Sequence, residues 1–370
     1  MIYKPFQDIS LSRLGMGNMR LPALHPGDPK SPIDWPAAHE ILKLAMESGI
    51  NYYDTAYVYQ GGESERCLGE GMKQFPRESF YLATKYNVGA NPDYREVFQT
   101  QLERLQTDYI DFYLIHCIQE RNADTYLSNG CIDYFLDLKA QGKIRYLGFS
   151  SHAKPETLTR FADHHQWDFA QLQINYFDWN YSTTREEYRI LEERNIPIMV
   201  MEPVRGGRLA QLTPDAEKLL KDAHPDWSIA SWAMRFVRTL PQVQLVLSGM
   251  NTAEQMHDNA ATFSTPDTLT EADMAVLMKA CDLFHTQLQV PCTACRYCCD
   301  DCPMQINIPE YLTVYNAWKV GEGGIRQDLD EVNSEGKFES CVGCGACTGH
   351  CPQNIDVPKI MAELKQAFGR

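Results

Sequence analysis

The chain contains no run of about 18 apolar residues, the length a membrane-spanning helix requires, so no membrane span is expected. Its first residues, MIYKPFQDIS, have no apolar core of the kind an export signal carries, so the expected location is cytoplasmic. Basic residues are in short supply: 34 Lys and Arg stand against 49 Asp and Glu, for a net charge of −15. That balance argues against nucleic acid or an anionic membrane as the main partner, because both select a basic footprint. There is no low-complexity stretch and no block of like charge long enough to form a disordered tail. No G-x-G-x-x-G follows an early strand; Gly15, Gly17, Gly61 and Gly62 are wrongly spaced for one and read as turn glycines. No flavin-binding motif is recognisable either.

Cysteine is abundant, and its placement is informative. Nine of the 13 cysteines fall in CTACRYCCDDCP from Cys292 and CVGCGACTGHCP from Cys341, and eight of them give each string the spacing C-x2-C-x2-C-x3-C-P. Three thiolates two residues apart sit on one tight loop and can hold three irons of a cubane, while the fourth normally closes the other cluster. On that logic Cys292, Cys295, Cys298 and Cys351 hold one 4Fe–4S centre, and Cys341, Cys344, Cys347 and Cys302 hold the second. Two zinc sites or a disulfide framework are the competing readings. Neither accounts for the third C-x2 step or the proline after each fourth cysteine, and disulfides belong to exported chains. Cys299 lies inside the first motif but off its spacing, and reads as a spare thiol, with ligand exchange or redox sensing as alternatives.

With 370 residues and 44% hydrophobic content, the chain has room for one large domain and one small one. From about residue 34 to 263, short β-branched or aromatic runs alternate with amphipathic segments, the pattern of βα units on a parallel sheet. Ala38, Ile41, Leu42, Ala45 and Met46 recur at helical spacing, as do Phe98, Leu102 and Leu105. Seven strands are expected at 50–56, 80–86, 109–116, 144–151, 169–177, 196–203 and 243–249, with an eighth before Asp34 or between Gly49 and Phe80. The opening segment, SRLGMGN included, looks like a hairpin. The expected fold is α/β, a (β/α)8 TIM barrel over residues 1–268, with a doubly wound open sheet as the runner-up. A linker helix over 269–290 follows, capped by Thr270 with Asp273 three residues on. Residues 291–370 then form a small, mainly helical ferredoxin-like iron–sulfur domain, with helices expected at 308–320 and 357–368.

In such a barrel chemistry gathers at the C-terminal ends of the strands. Asp54 and Lys85 end two apolar runs, and an ion pair between them is the economical way to bury both. Tyr59 follows five residues after Asp54, and His116 ends a third run. A neighbouring ammonium is expected to draw the Tyr59 phenol down toward a useful range, with Tyr59 as the acid or base and His116 orienting a carbonyl oxygen. The set suits carbonyl reduction.

The strings LGMGNMRLP, NYYDTAYVYQGGESERCLGEGM, LATKY and YLIH, in this order, resemble the aldo-keto reductases over roughly residues 5 to 263. The resemblance implies a (β/α)8 barrel, NADP or NAD as hydride carrier, a small carbonyl-type substrate, and the tetrad Asp54, Tyr59, Lys85 and His116 with Tyr59 as proton donor. It further implies cofactor contacts at Gly17, Asn18 and Met19 near the nicotinamide, and at Ser150, Ser151, Gln173 and Asn175. Met201 stands where many members stack an aromatic ring on the nicotinamide. Asp258 and Asn259 of the phosphate segment are kept, but Gly249 and Gln255 occupy the positions of the Lys and Arg that clamp the 2′-phosphate of NADP. Arg205 and Arg208 either replace that clamp or face solvent. The tail resembles that of the subset of the family carrying a two-cluster ferredoxin domain.

Hydride transfer moves two electrons, whereas a cluster passes one, so a flavin, a radical-stabilising substrate or a redox partner protein must couple the halves. A flavin has no motif to support it, although a barrel's phosphate site can hold one. Three readings stay open: a reductase whose clusters exchange electrons with a partner, an electron-transfer protein whose barrel no longer reduces anything, and a reductase with purely structural clusters. Substrate choice is expected to rest on loops 21–33, 118–131 and 178–182, with Tyr126, Phe177 and Trp179 lining a pocket or merely packing.

Overall fold

The computed structural model describes residues 1–25, 31–287, 290–319 and 324–369. Part of the expected substrate loop 21–33, the end of the expected linker and the last residue of the expected helix 308–320 lie outside the described residues. The strands are β1 (Tyr3–Phe6), β2 (Ile9–Ser12), β3 (Leu14–Gly17), β4 (Tyr52–Asp54), β5 (Tyr81–Tyr86), β6 (Ile110–Ile118), β7 (Ile144–Ser151), β8 (Phe169–Gln173), β9 (Ile198–Met201) and β10 (Val243–Ser248).

β3 to β10 run parallel in sequence order, and β10 closes onto β3 through Val246 with Leu14, Leu247 with Gly15 and Ser248 with Met16. Closure removes both sheet edges and rules out the open doubly wound alternative. Every residue of β6 is buried, because one face looks into the barrel and the other is covered by helices. The helix Trp35–Glu47, capped by the Asp34 side chain accepting from the Ala37 N–H, buries Ala38, Ile41, Leu42 and Ala45 as its period requires.

Two strand expectations are corrected. The eighth barrel strand is LGMG itself, before Asp34, whereas the hairpin is the antiparallel pair of Tyr3–Phe6 with Ile9–Ser12. Phe6 and Leu11 of that hairpin join Tyr52, Phe112, Tyr146 and Phe169 in one buried cluster, with Phe6 5.1 Å from Tyr146 and 5.5 Å from Phe112 between ring centroids. The run 169–177 does not stay extended: β8 stops at Gln173, and Asn175 caps a helix, Tyr176–Tyr181, by accepting from the Asp178 N–H at 2.8 Å. The local cap outweighs the apolar run that favours a strand.

The chain divides into two compact units: Met1–Val204 with Ala230–Glu271, and Arg205–Ile229 with Ala272–Arg370. The second unit is helical, with Pro214–Ala223, Glu271–Gln287, Ile308–Lys319 and Val357–Phe368 as its longer helices. Its core joins Ile308, Tyr311, Leu312 and Tyr315 of one helix to Val357, Ile360, Met361 and Leu364 of another, with Cys292, Cys298 and Cys347 among them. Among the described residues no helix is long and apolar enough to cross a membrane.

Candidate functional site

Parallel register brings the strand ends together. Gly17 lies opposite Asp54, Asp54 opposite Ala83, and Lys85 opposite Leu114, two residues before His116. Lys85 is fully buried and donates to Asp54 Oδ1 at 2.5 Å, to the Thr55 carbonyl at 2.6 Å and to the Tyr59 hydroxyl at 3.5 Å. The second carboxylate oxygen of Asp54 accepts from Gln171 Nε2 at 3.1 Å. Burial pushes the Asp54 carboxyl up and the Lys85 ammonium down, and their mutual attraction opposes both shifts. The Tyr59 ring stands edge-on to His116, with centroids 5.9 Å apart.

The electrostatics of Tyr59 reverse the expectation drawn from the sequence. Burial of its hydroxyl, then the charge of Asp54, Cys117 and Glu202, holds the phenol well above its ordinary range, with Arg20 alone pulling the other way. The Lys85 ammonium is 3.5 Å from the hydroxyl but closer to Asp54 and the Thr55 carbonyl, so its pull on the phenol is weaker than the effect of burial. A protonated phenol is what a proton donor needs. His116 is held well below its usual range by burial, then by Lys85 and His152, and is therefore a neutral imidazole. Its Nδ1 is buried without a hydrogen-bond partner, while its carbonyl accepts from the Tyr126 hydroxyl at 2.9 Å. Tyr126 thus packs behind His116. Phe177 is buried, and Trp179 packs against Tyr188 and Phe236.

Backbone geometry aims these side chains. Gln60, Cys117 and Glu202, each directly after Tyr59, His116 or Met201, have φ of 50°, 56° and 56°. Left-handed backbone on non-glycine residues costs roughly 1–3 kcal/mol each and gathers where a side chain must be aimed. At Cys117 the β6–β7 register shifts, and its N–H is taken up by Ser150 Oγ at 2.8 Å.

Sequence reasoning missed a buried network under the tyrosine turn. Glu65 accepts from Thr84 Oγ1 at 2.6 Å, Gln101 Nε2 at 2.9 Å and Arg104 Nη1 at 3.0 Å. Gln101 also donates to the Lys85 carbonyl, and Arg104 to the Tyr57 carbonyl. The signal was there: a glutamate at a core position of an amphipathic helix, and Gln171 in the middle of an apolar strand, must each find buried partners.

Most of the expected cofactor contacts lie at or just beyond these strand ends, whereas Gln255, Asp258 and Asn259 lie on the helix Ala253–Thr262. Gly17 closes β3, and a Cβ on Gly249 would meet only the Gly17 carbonyl at 3.7 Å and Arg20 Cβ at 3.9 Å, leaving an open backbone cradle. Asn18 is buried and donates to the Asp54 and Met16 carbonyls, while its Oδ1 has no partner. Met19 is half-buried beside it. Ser151 Oγ accepts from the Ala153 N–H, and Gln173, opposite Met201, donates to Asp178 Oδ2 at 2.7 Å. Asn259 holds Ser248 Oγ at 3.1 Å, and Asp258 is half-buried one residue earlier. Exposed Gln255 accepts from the Asn251 N–H. Arg205 is buried rather than facing solvent, and Arg208 is half-exposed. Both belong to the second unit, where Arg205 donates to Gln353 Oε1 at 3.1 Å and Arg208 to Thr313 Oγ1.

In that unit the eight motif cysteines separate into two sets. Cys292, Cys295, Cys298 and Cys351 line a cleft of about 310 Å³. Cys302, Cys341, Cys344 and Cys347 line another of about 360 Å³. All 13 cysteines are free thiols, and Cys299 lines neither cleft. Among the described residues no three His, Cys, Asp or Glu side chains converge on a point where one metal ion would sit. The cysteines instead stand around the walls of a cavity, the arrangement a multi-iron cluster fits.

The profile of the aldo/keto reductase family matches residues 13–282, and that of the 4Fe–4S dicluster domain matches residues 291–356. The uncharacterized oxidoreductase YqkF of Bacillus subtilis is 29% identical over 287 residues, 68% of this chain and 87% of its own. The NADH-specific methylglyoxal reductase of Escherichia coli is 25% identical over 321 residues, 74% and 95% of the two chains. Among solved structures, an aldo-keto reductase of Bacillus halodurans in its holo form superposes with a TM-score of 0.61 at 25% identity, over 76% of this chain and 96% of that one. With a match spanning most of its length and the closed barrel that match requires, this oxidoreductase belongs to the aldo-keto reductase family and carries a 4Fe–4S dicluster domain after its barrel.

Proposed function

We propose that the barrel reduces a small carbonyl compound with NAD(P)H, and that the tail holds two 4Fe–4S clusters through which electrons are exchanged with a redox partner. The observation that carries the reading is the chain Asp54–Lys85–Tyr59 with neutral His116 edge-on to the phenol. The nicotinamide, when bound, supplies the hydride. Tyr59 donates its phenol proton to the developing alkoxide oxygen, and His116 holds that oxygen by a hydrogen bond from an uncharged ring. Lys85, anchored by Asp54 and the Thr55 carbonyl, stabilises the phenolate left behind.

The open cradle of Gly17 and Gly249 and the unsatisfied Asn18 Oδ1 support a cofactor at the strand ends. Asn18, Met19, Ser150, Ser151, Gln173 and Met201 would hold its nicotinamide side, and Gly249, Gln255, Asp258 and Asn259 its adenine side. With no cation at Gly249 or Gln255, NADH should serve at least as well as NADPH. In the tail, Cys292, Cys295, Cys298 and Cys351 would ligate one cluster and Cys302, Cys341, Cys344 and Cys347 the other, because each set lines one cleft.

The test is anaerobic purification with iron and sulfide quantified, followed by NADH and NADPH consumption against a panel of aldehydes and ketones. Carbonyl-dependent consumption of NADH by protein carrying about eight irons is expected on this ligand set. Failure to bind either nucleotide would contradict the reductase reading, and an iron-free product would contradict the cluster reading.

A further inference from the structure

The segment VRGGRL, three residues beyond β9, has no place in the reductase chemistry, yet its geometry is specific. Arg205 takes a left-handed φ of 51°, and Gly206 and Gly207 follow at 66° and 96°, so three successive residues wind the backbone into a tight turn. Only glycine does this without strain, and Arg205 accepts the strain. Arg205 is 1% exposed. Its guanidinium donates to Gln353, a residue of the cleft that Cys292, Cys295, Cys298 and Cys351 line. Arg208 donates to Thr313 Oγ1 on the helix Ile308–Lys319, whose Pro309 and Leu312 line the same cleft. A third arginine, Arg296, lines the cleft directly. The hydroxyl of Thr313 and the amide of Asn307, to which Arg208 and Arg296 donate, fix those two guanidiniums without cancelling their charge.

The other cleft differs. Its described lining residues are cysteine, glycine, alanine, proline and aliphatic side chains, with no charged group. Cys302 follows Asp300 and Asp301 in sequence, and Asp301 pairs with His350 at 2.8 Å.

We propose that Arg208 and Arg296 form a cationic wall that makes the Cys292-side cluster the more easily reduced of the two, so that the first electron entering the tail rests there. This rests on the reading that the tail holds two clusters. A cluster held by four thiolates is anionic and becomes more so on taking up an electron, so fixed positive charge favours the reduced form. Solvent near exposed Cys344 favours reduction of the other site. Water also screens charge, whereas the half-buried Arg296 lines the Cys292 cleft itself and acts at short range.

The test is an EPR-monitored titration of the anaerobically reconstituted full-length protein with dithionite and mediators. Cys344→Ser and Cys295→Ser, each checked for the loss of about half the iron, identify which signal belongs to which site. The signal that survives Cys344→Ser should titrate at the higher midpoint. Arg208→Gln, at the half-exposed edge of the wall, should lower that midpoint by about tenfold in the reduction equilibrium, about 59 mV for one electron, and leave the other signal in place. Arg208→Lys, which keeps the charge, should restore it. The proposal is overturned if Arg208→Gln moves neither signal or both alike, or if the Cys341-side cluster takes the first electron. Full-length protein that cannot be loaded with iron and sulfide overturns the cluster reading itself.

Discussion

Lys85 and Asp54 are buried together, and each is tolerable only because of the other. Lys85→Met should therefore abolish turnover and also cost about 3–5 kcal/mol in chemical denaturation, because Asp54 keeps its charge in a dry site. Adding Asp54→Asn should recover much of that stability and none of the activity. The imidazoles give a second residue-scale prediction, this one about acid. His116 lies well below its usual range and His152 is pushed down to about 4, in both cases chiefly by burial. Unfolded histidine takes a proton near pH 6.5 while these two refuse it in the folded protein, so stability should fall as pH drops from about 6.5 toward 4. Denaturation midpoints at a series of pH values check this. A flat profile below pH 6.5 would contradict the burial of both rings. That Asp54, Tyr59, Lys85 and His116 come together could be read from the strand-end pattern, but the sign of the Tyr59 shift could not. Sequence places an ammonium near the phenol; only the structure shows it turned toward Asp54 and Thr55.

At the scale of elements, long apolar strands declared themselves and short ones did not. β6 and β7 lie within about two residues of their expected bounds, since a strand buried on both faces is a continuous apolar run. β3 has four residues, two of them glycine, and so resembled a turn. The left-handed residues after Tyr59, His116 and Met201 were invisible, because Gln60, Cys117 and Glu202 carry none of glycine's signal for that conformation. Gly62 does carry it: φ is 90°, and a Cβ there would lie 2.4 Å from Arg104 Nη1. Gly62→Ala should thus displace the guanidinium from the Glu65 network, destabilise the protein by roughly 1–3 kcal/mol, and lower kcat more than it raises KM as Tyr59 shifts. Unchanged kcat would show that the network does not position the tyrosine.

At the scale of the whole molecule, the proposed ligand sets have the two cysteine motifs exchange their fourth members, as the spacing leads one to expect. The C-x3-C step sets Cys302 and Cys351 apart from their own loops, and each lines the cleft of the other motif. Cys351→Ser should accordingly remove the same EPR signal as Cys292→Ser, while Cys341→Ser removes the other; a shared signal between Cys351→Ser and Cys341→Ser would contradict the exchange. The membership of 205–229 in the tail unit was not legible, because it depends on contacts made far along the chain. The central claim is that the barrel is a working two-electron reductase whose proton comes from Tyr59. The most direct test is a single-turnover reaction of Tyr59→Phe, loaded with NADH and mixed anaerobically with the best carbonyl substrate. The account predicts a hydride-transfer rate at least about 100-fold below that of the unaltered protein, with cluster absorbance and nucleotide binding unchanged; an undiminished rate would contradict it.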